Sequence, residues 1–195
     1  MRYFACILIF LFLAFPSALM GTSRQFEDKI YDPGPLVPKD SRLKVFKGDK
    51  APDFTLRSVS GKRVTLSDFR GKQNLLLSFV PAAWTPVCSD QWPGYNIAKP
   101  LFEQKQTLLL GITVDNIPTL FAWTQQMGNL WFEVLSDFWP HGKVANAYGV
   151  LRTDGTAERA LILVDKQGII QWTHVSDINI RPDLGMIIQA LDRLD

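Results

Sequence analysis

The chain has 195 residues, 47% of them apolar, with 21 basic against 19 acidic side chains and a formal charge of +2. That length fits one domain plus a short extra segment, and a domain of about 150 residues buries enough surface to fold without a staple. The near-balanced charge, with no basic run, argues against a nucleic-acid partner, and two distant cysteines, Cys6 and Cys88, exclude a disulfide framework.

The N-terminus reads as a targeting segment. Arg2 precedes an apolar run from Phe4 to Phe15, followed by Pro16, Ser17 and Ala18. This is a short charged region, an apolar stretch and a small-residue zone, the pattern of an export leader over residues 1–21. The run is shorter than the roughly 20 residues that span a bilayer. The expected location is therefore outside the cytoplasm, in a bacterial periplasm, with membrane anchorage as the alternative if the leader is retained. Cys6 lies inside the apolar run, so leader removal would leave Cys88 as the single cysteine.

Residues 22–43 are polar and rich in proline, with Asp32-Pro33-Gly34-Pro35 and Pro38. No apolar period runs through them, which predicts a linker or an extended arm. The main domain is expected over residues 44–195. Phe54 to Leu56 and Val64 to Leu66 flank Ser60-Gly61-Lys62 and predict a hairpin. Three apolar runs, Asn74 to Val80, Thr107 to Asp115 and Arg159 to Asp165, have strand length and no alternation, as in strands buried on both faces. Gly168 to Val175 follows the third run after a tight turn and predicts an antiparallel hairpin. Helical patterns lie between them. One is expected over residues 89–105, starting just after Cys88 and broken at Pro93-Gly94. Others cover Pro118 to Met127, Gly142 to Tyr148 and Asp183 to Leu194, the last with Leu184, Ile187, Ile188, Leu191 and Leu194 on one face. The strand–helix alternation predicts an α/β fold with a partly parallel sheet.

Chemistry concentrates in Phe79-Val-Pro-Ala-Ala-Trp-Thr-Pro-Val-Cys-Ser-Asp-Gln91. This stretch leaves a buried strand, turns at Pro81 and delivers Cys88 to the start of a helix. Unpaired amides and the partial positive charge there favour a thiolate, which is the nucleophilic form. Thr85, three residues earlier, can direct its hydroxyl at the sulfur or at a bound oxygen. His141 and His174 have no metal-ligand spacing and read as surface or second-layer residues; no metal site is expected. Asp53, Asp68 and Asp137 read as turn or cap residues. The six tryptophans read mainly as packing, with Trp84 and Trp92 as candidates for the pocket mouth.

Pro81, Thr85 and Cys88 match PxxxTxxC, and in this the chain resembles the peroxiredoxins, the AhpC/TSA-type redoxins. Gly48-Asp-Lys-Ala-Pro-Asp-Phe-Thr-Leu, Leu66-Ser-Asp-Phe-Arg-Gly-Lys, Leu135-Ser-Asp, Lys143-Val-Ala-Asn-Ala-Tyr-Gly-Val and Leu163-Val-Asp-Lys-Gln-Gly extend the resemblance over about residues 46–194. It implies a thioredoxin-like fold, a central mixed sheet flanked by helices with an N-terminal hairpin. It implies Cys88 as the peroxidatic cysteine, Thr85 as the threonine that hydrogen-bonds the peroxide and Pro81 as the proline that shields the site. Arg159 matches the arginine that pairs with the thiolate, and Gln91 stands where the family often has Glu, Gln or His and supports that network. The implied substrate is hydrogen peroxide or an organic hydroperoxide, with no cofactor. Many relatives form homodimers, but no feature of this sequence fixes an interface.

The sequence departs from the family in two places. Trp84 stands where many members have Phe. No resolving cysteine follows: the place five residues after Cys88 is Pro93, and Leu191 to Asp195 lacks one. The chain therefore resembles a one-cysteine member, reduced by an external thiol, either a thioredoxin-like protein or a small thiol. Two other readings remain. A thioredoxin-type thiol–disulfide oxidoreductase would need a second cysteine where Thr85 stands. A non-enzymatic redoxin domain, binding a partner or sensing redox state, would not need Thr85 and Arg159.

Overall fold

The three apolar runs form the middle of a sheet. The structure, a computed structural model, describes residues 28–194; the expected leader and Cys6 lie outside the described residues. The strands are β1 (Thr55–Ser58), β2 (Arg63–Thr65), β3 (Asn74–Phe79), β4 (Thr107–Thr113), β5 (Glu133–Ser136), β6 (Ala160–Val164) and β7 (Ile170–Val175). They lie in the order β2-β1-β5-β4-β3-β6-β7. β3, β4 and β5 are mutually parallel. β6 runs antiparallel to β3, and β6–β7 and β1–β2 are antiparallel hairpins. The sheet is mixed, as the alternation predicted. β5 has no counterpart in the sequence reading.

The helices are α1 (Pro86–Ile97), α2 (Lys99–Gln104), α3 (Ile117–Gln126), α4 (Lys143–Tyr148) and α5 (Leu184–Leu191). Three have side-chain caps. Asn116 Oδ1 accepts from Thr119 N at the start of α3, and Asp183 Oδ1 from Met186 N at the start of α5. The Asp137 carboxylate accepts from Val144 N and Ala145 N at α4. Burial pushes that carboxyl up, against the two amide bonds.

The region after Cys88 differs from expectation. The helix starts at Pro86, so Cys88 lies in its first turn, and Pro86 suits that position because its missing N–H has no helical partner there. The interruption falls at Ala98, where ψ opens to 6°, and not at Pro93-Gly94. Pro93 sits inside the helix. Its cost is offset by the deep burial of Trp92 and Tyr95 on either side.

Alternating side chains of the central strands build two cores. Leu75, Leu77 and Phe79 face Tyr148 and Val144 of α4. Leu76 faces the opposite core, which holds Cys88, Trp92, Trp123 and Ile187. Close packing on that side depends on Gly111 of β4, where an added Cβ would lie 2.7 Å from the Trp92 indole.

Residues 30–44 form no helix or strand, yet they are tied to the domain along their length. Val37 O accepts from Arg152 Nη2 (2.9 Å), and Asp40 N and Ser41 N donate to Glu158 Oε1 (2.6 and 2.9 Å). Arg152 Nη1 and Glu158 Oε2 form an ion pair of 2.8 Å, buried beneath the arm. The arm crosses Gly149 (φ 74°) so closely that a Cβ there would lie 2.3 Å from Arg42 O. Among the described residues, no helix is long and apolar enough to cross a membrane.

Candidate active site

After Phe79 the chain leaves the sheet and turns through Pro81 to Thr85 before entering α1. The Asp115 carboxylate, just past β4, fastens this turn: its Oδ2 accepts from Ala83 N (2.8 Å) and from Thr113 Oγ1 (2.6 Å). Trp84 adopts a left-handed backbone (φ 61°), which costs roughly 1–2 kcal/mol for a residue with a Cβ. Its carbonyl accepts from Tyr31 N of the arm (2.8 Å). Thr85 is the residue preceding α1, and its carbonyl accepts from Ser89 N (2.9 Å). Its hydroxyl donates to Ala82 O (3.0 Å) and caps no helix amide.

Cys88 is fully buried. Arg159, at the entry to β6, is 2% exposed and uses all three nitrogens. Nη2 lies 3.5 Å from Cys88 Sγ, Nη1 donates to Gln91 Oε1 (2.7 Å), and Nε donates to Ile178 O (3.0 Å). Gln91 turns its amide nitrogen to Ser78 Oγ on β3 (3.2 Å), and Trp92 Nε1 donates to the same oxygen (3.2 Å). The chain of contacts therefore runs from the sheet through Ser78, Gln91 and Arg159 to the sulfur. Among the described residues, no carboxylate lies within ion-pair distance of Arg159. Tyr95, also on α1, has its phenol pushed up by burial, against the nearby Arg159 charge.

The structure brings Cys88, Gln91 and Arg159 into direct contact. Pro81, Thr85 and Arg159 line a cleft of about 630 Å³; Cys88 itself is buried and is not part of the lining, and Arg159 links the two. Trp92 does not form a pocket mouth: it is fully buried, tilted against Trp123 at 5.0 Å between ring centres. The indole belongs to the core because Gly111 leaves room for it there. Trp84 is outside the cleft lining as well; it packs against the core that holds Cys88, and its carbonyl accepts from Tyr31 N. His141 is exposed and bonds Gly155 O (2.7 Å), and His174 stacks on Trp172. Among the described residues, no cluster of three or more His, Cys, Asp or Glu is placed to hold a metal ion.

Ser78 and the Ile178 carbonyl are site residues the sequence reading missed. The signal for Ser78 was a lone hydroxyl inside Asn74-Leu-Leu-Leu-Ser-Phe-Val80, since buried polar groups require partners. Ser78→Ala leaves Gln91 Nε2 and Trp92 Nε1 without an acceptor. The expected loss is about 1–3 kcal/mol in urea unfolding; a loss below about 0.5 kcal/mol would show that neither bond matters.

The AhpC/TSA family pattern matches residues 47–173. Alkyl hydroperoxide reductase E of Mycobacterium tuberculosis is 42% identical over 129 residues, covering 66% of this chain and 84% of that protein. A chloroplastic 2-cysteine peroxiredoxin of Chattonella marina var. antiqua is 31% identical over 156 residues, 75% of this chain and 79% of that one. Among solved structures, the reduced 2-Cys peroxiredoxin of Plasmodium vivax superposes with a TM-score of 0.70 at 30% identity, covering 76% of this chain and 81% of its own. With its matched pattern, its relatives and its thioredoxin-like fold, the chain belongs to the AhpC/TSA family.

Proposed function

We propose that the chain is a thiol-dependent peroxidase that reduces hydroperoxides through Cys88. One observation carries the reading. A buried guanidinium with no carboxylate partner among the described residues points at the Cys88 sulfur from 3.5 Å, in the first turn of a helix. Buried cations need counter-ions. The group that the site offers is Cys88 as thiolate, the nucleophilic form. Relatives named alkyl hydroperoxide reductase and peroxiredoxin support the same chemistry.

The steps balance with thiols as the reductant. The Cys88 thiolate attacks the terminal peroxide oxygen, an S–O bond forms and the O–O bond breaks. The leaving alkoxide (hydroxide, for hydrogen peroxide) takes a proton and departs as alcohol or water. Cys88 is left as sulfenic acid. Arg159 and the amides of the first turn of α1 face the charge that moves from sulfur to oxygen, as in an oxyanion hole. Thr85 commits its own proton to Ala82 O, so its lone pairs can accept from the O–H of a bound hydroperoxide. Pro81 covers the site without adding a competing donor. Gln91 positions Arg159 and, being neutral, leaves its charge to the sulfur. One external thiol then displaces water to form a mixed disulfide on Cys88, and a second thiol releases the Cys88 thiol as a disulfide leaves.

The same reading takes the chain as a one-cysteine enzyme, since position 93 is proline and residues 28–194 hold Cys88 alone. We infer export from the leader pattern of residues 1–21. The test is peroxide consumption with and without dithiothreitol. Many turnovers with the thiol and at most one without it are expected. One equivalent consumed in both cases would replace the enzyme with a sensor, and no consumption would leave a binding domain.

A further inference from the structure

The cleft lined by Thr85 and Arg159 has one wall that lies before the family-matched segment. The domain lines it with Pro81, Thr85, Val87 and Arg159, and the arm lines it with Tyr31, Pro33, Pro35 and Leu36. Cys88 is reached from it through Arg159, whose Nη2 lies 3.5 Å from the sulfur. The family match begins only at residue 47. We propose that the arm is a substrate-selecting wall, which fits the site to neutral hydroperoxides with a bulky apolar substituent in preference to hydrogen peroxide. This rests on the peroxidase reading.

Size and chemistry point the same way. A cleft of about 630 Å³ is on the scale of sites that enclose a whole organic ligand. Hydrogen peroxide needs only the polar end, at Thr85 and Arg159, and gains nothing from proline and leucine side chains. An alkyl or aryl group extending from the same peroxide oxygen lies against those side chains, and each methylene it buries is worth roughly fourfold in affinity. Asp32 and Asp154 also border the cleft. Their charges disfavour a substrate carrying a carboxylate and favour a neutral one.

The wall is built in place. Leu36 is fixed by both backbone groups: its N–H donates to Asn179 Oδ1 and its carbonyl accepts from Asn179 Nδ2, each at 2.9 Å. Ile178 N donates to Pro38 O (3.0 Å), while Ile178 O accepts from Arg159 Nε (3.0 Å). A single loop thus holds the arm on one side and the sulfur's cation on the other. Pro33 and Pro35 lower the entropy lost in holding the arm extended.

The experiment compares kcat/KM for cumene hydroperoxide and for hydrogen peroxide in the full chain and in two variants, Leu36→Ala and Asn179→Ala. The native protein is expected to favour cumene hydroperoxide. Leu36→Ala removes three carbons of the wall and should lower the ratio of the two constants by about tenfold. Asn179→Ala frees the backbone of Leu36 and should move the ratio the same way. A native preference for hydrogen peroxide, or a ratio unmoved by both variants, overturns the proposal. Turnover of neither peroxide overturns the peroxidase reading itself, and this inference with it.

Discussion

Cys88→Ser is expected to lower thiol-dependent peroxide consumption by at least about a thousandfold, to the rate of buffer with dithiothreitol alone. Removing a nucleophile that acts within a unit removes nearly the whole of that unit's effect. The change is close to isosteric, and Cys88 is fully buried against Trp92 and Leu161, so the fold has little reason to rearrange. Arg159 keeps its bonds to Gln91 and Ile178 but loses an anion to face. Circular dichroism should therefore stay native while activity is lost. Persistent turnover in the variant would show that another group attacks the peroxide. The native protein offers a second measurement on the same atom. After one equivalent of peroxide its intact mass should rise by one oxygen, as sulfenic acid, and excess peroxide should carry it to sulfinic acid. A disulfide, seen as a loss of two hydrogens or as a covalent dimer, would overturn the one-cysteine reading.

The frame around Cys88 was legible in the sequence because it is local. Pro81, Thr85 and Cys88 lie within one turn and the start of α1, and a turn followed by a helix start is written in consecutive residues. Strands β3, β4 and β6 were legible for a related reason: burial on both faces leaves an unbroken apolar run. β5 was not, because Glu133-Val-Leu-Ser136 is four residues long with polar ends and carries too little pattern to separate from a loop. The start of α1 was placed three residues late, although a proline such as Pro86 fits the first turn of a helix. The interior break was misplaced because Pro93 reads as a breaker, while the packing of Trp92 and Tyr95 is a tertiary fact. Arg159 and Gln91 came from the resemblance; nothing in their neighbours marks them. The Ile178 carbonyl and the backbone of Trp84 could not be read at all, since a main-chain contact leaves no residue type behind. The arm shows the same limit over longer range. Its prolines announce an extended segment, but its partners Arg152, Glu158 and Asn179 lie more than a hundred residues away.

Glu158→Ala is expected to destabilise the fold by about 3–5 kcal/mol, the usual result of breaking one side of a buried ion pair. Glu158 is fully buried and Arg152 only 5% exposed, so the guanidinium left behind cannot regain water easily. Asp154, at 3.4 Å from Arg152 Nε, is a partial replacement at the surface. The same substitution removes the acceptor for Asp40 N and Ser41 N, and these two amides fasten the arm. Two effects should therefore appear together: a lower urea midpoint, and faster hydrogen exchange across residues 36–41. Glu158→Gln separates them. Its amide oxygen can still accept from Asp40 N and Ser41 N, while the charge opposite Arg152 is gone. It should lose stability as well, but keep more of the arm's exchange protection than Glu158→Ala does. Because Glu158 is bonded in sequence to Arg159, the alanine variant should also disturb the cation at the sulfur and slow the reaction of Cys88 with peroxide. If Glu158→Ala unfolds within about 0.5 kcal/mol of the native protein and the arm stays protected, the buried pair is not what holds the arm against the active site.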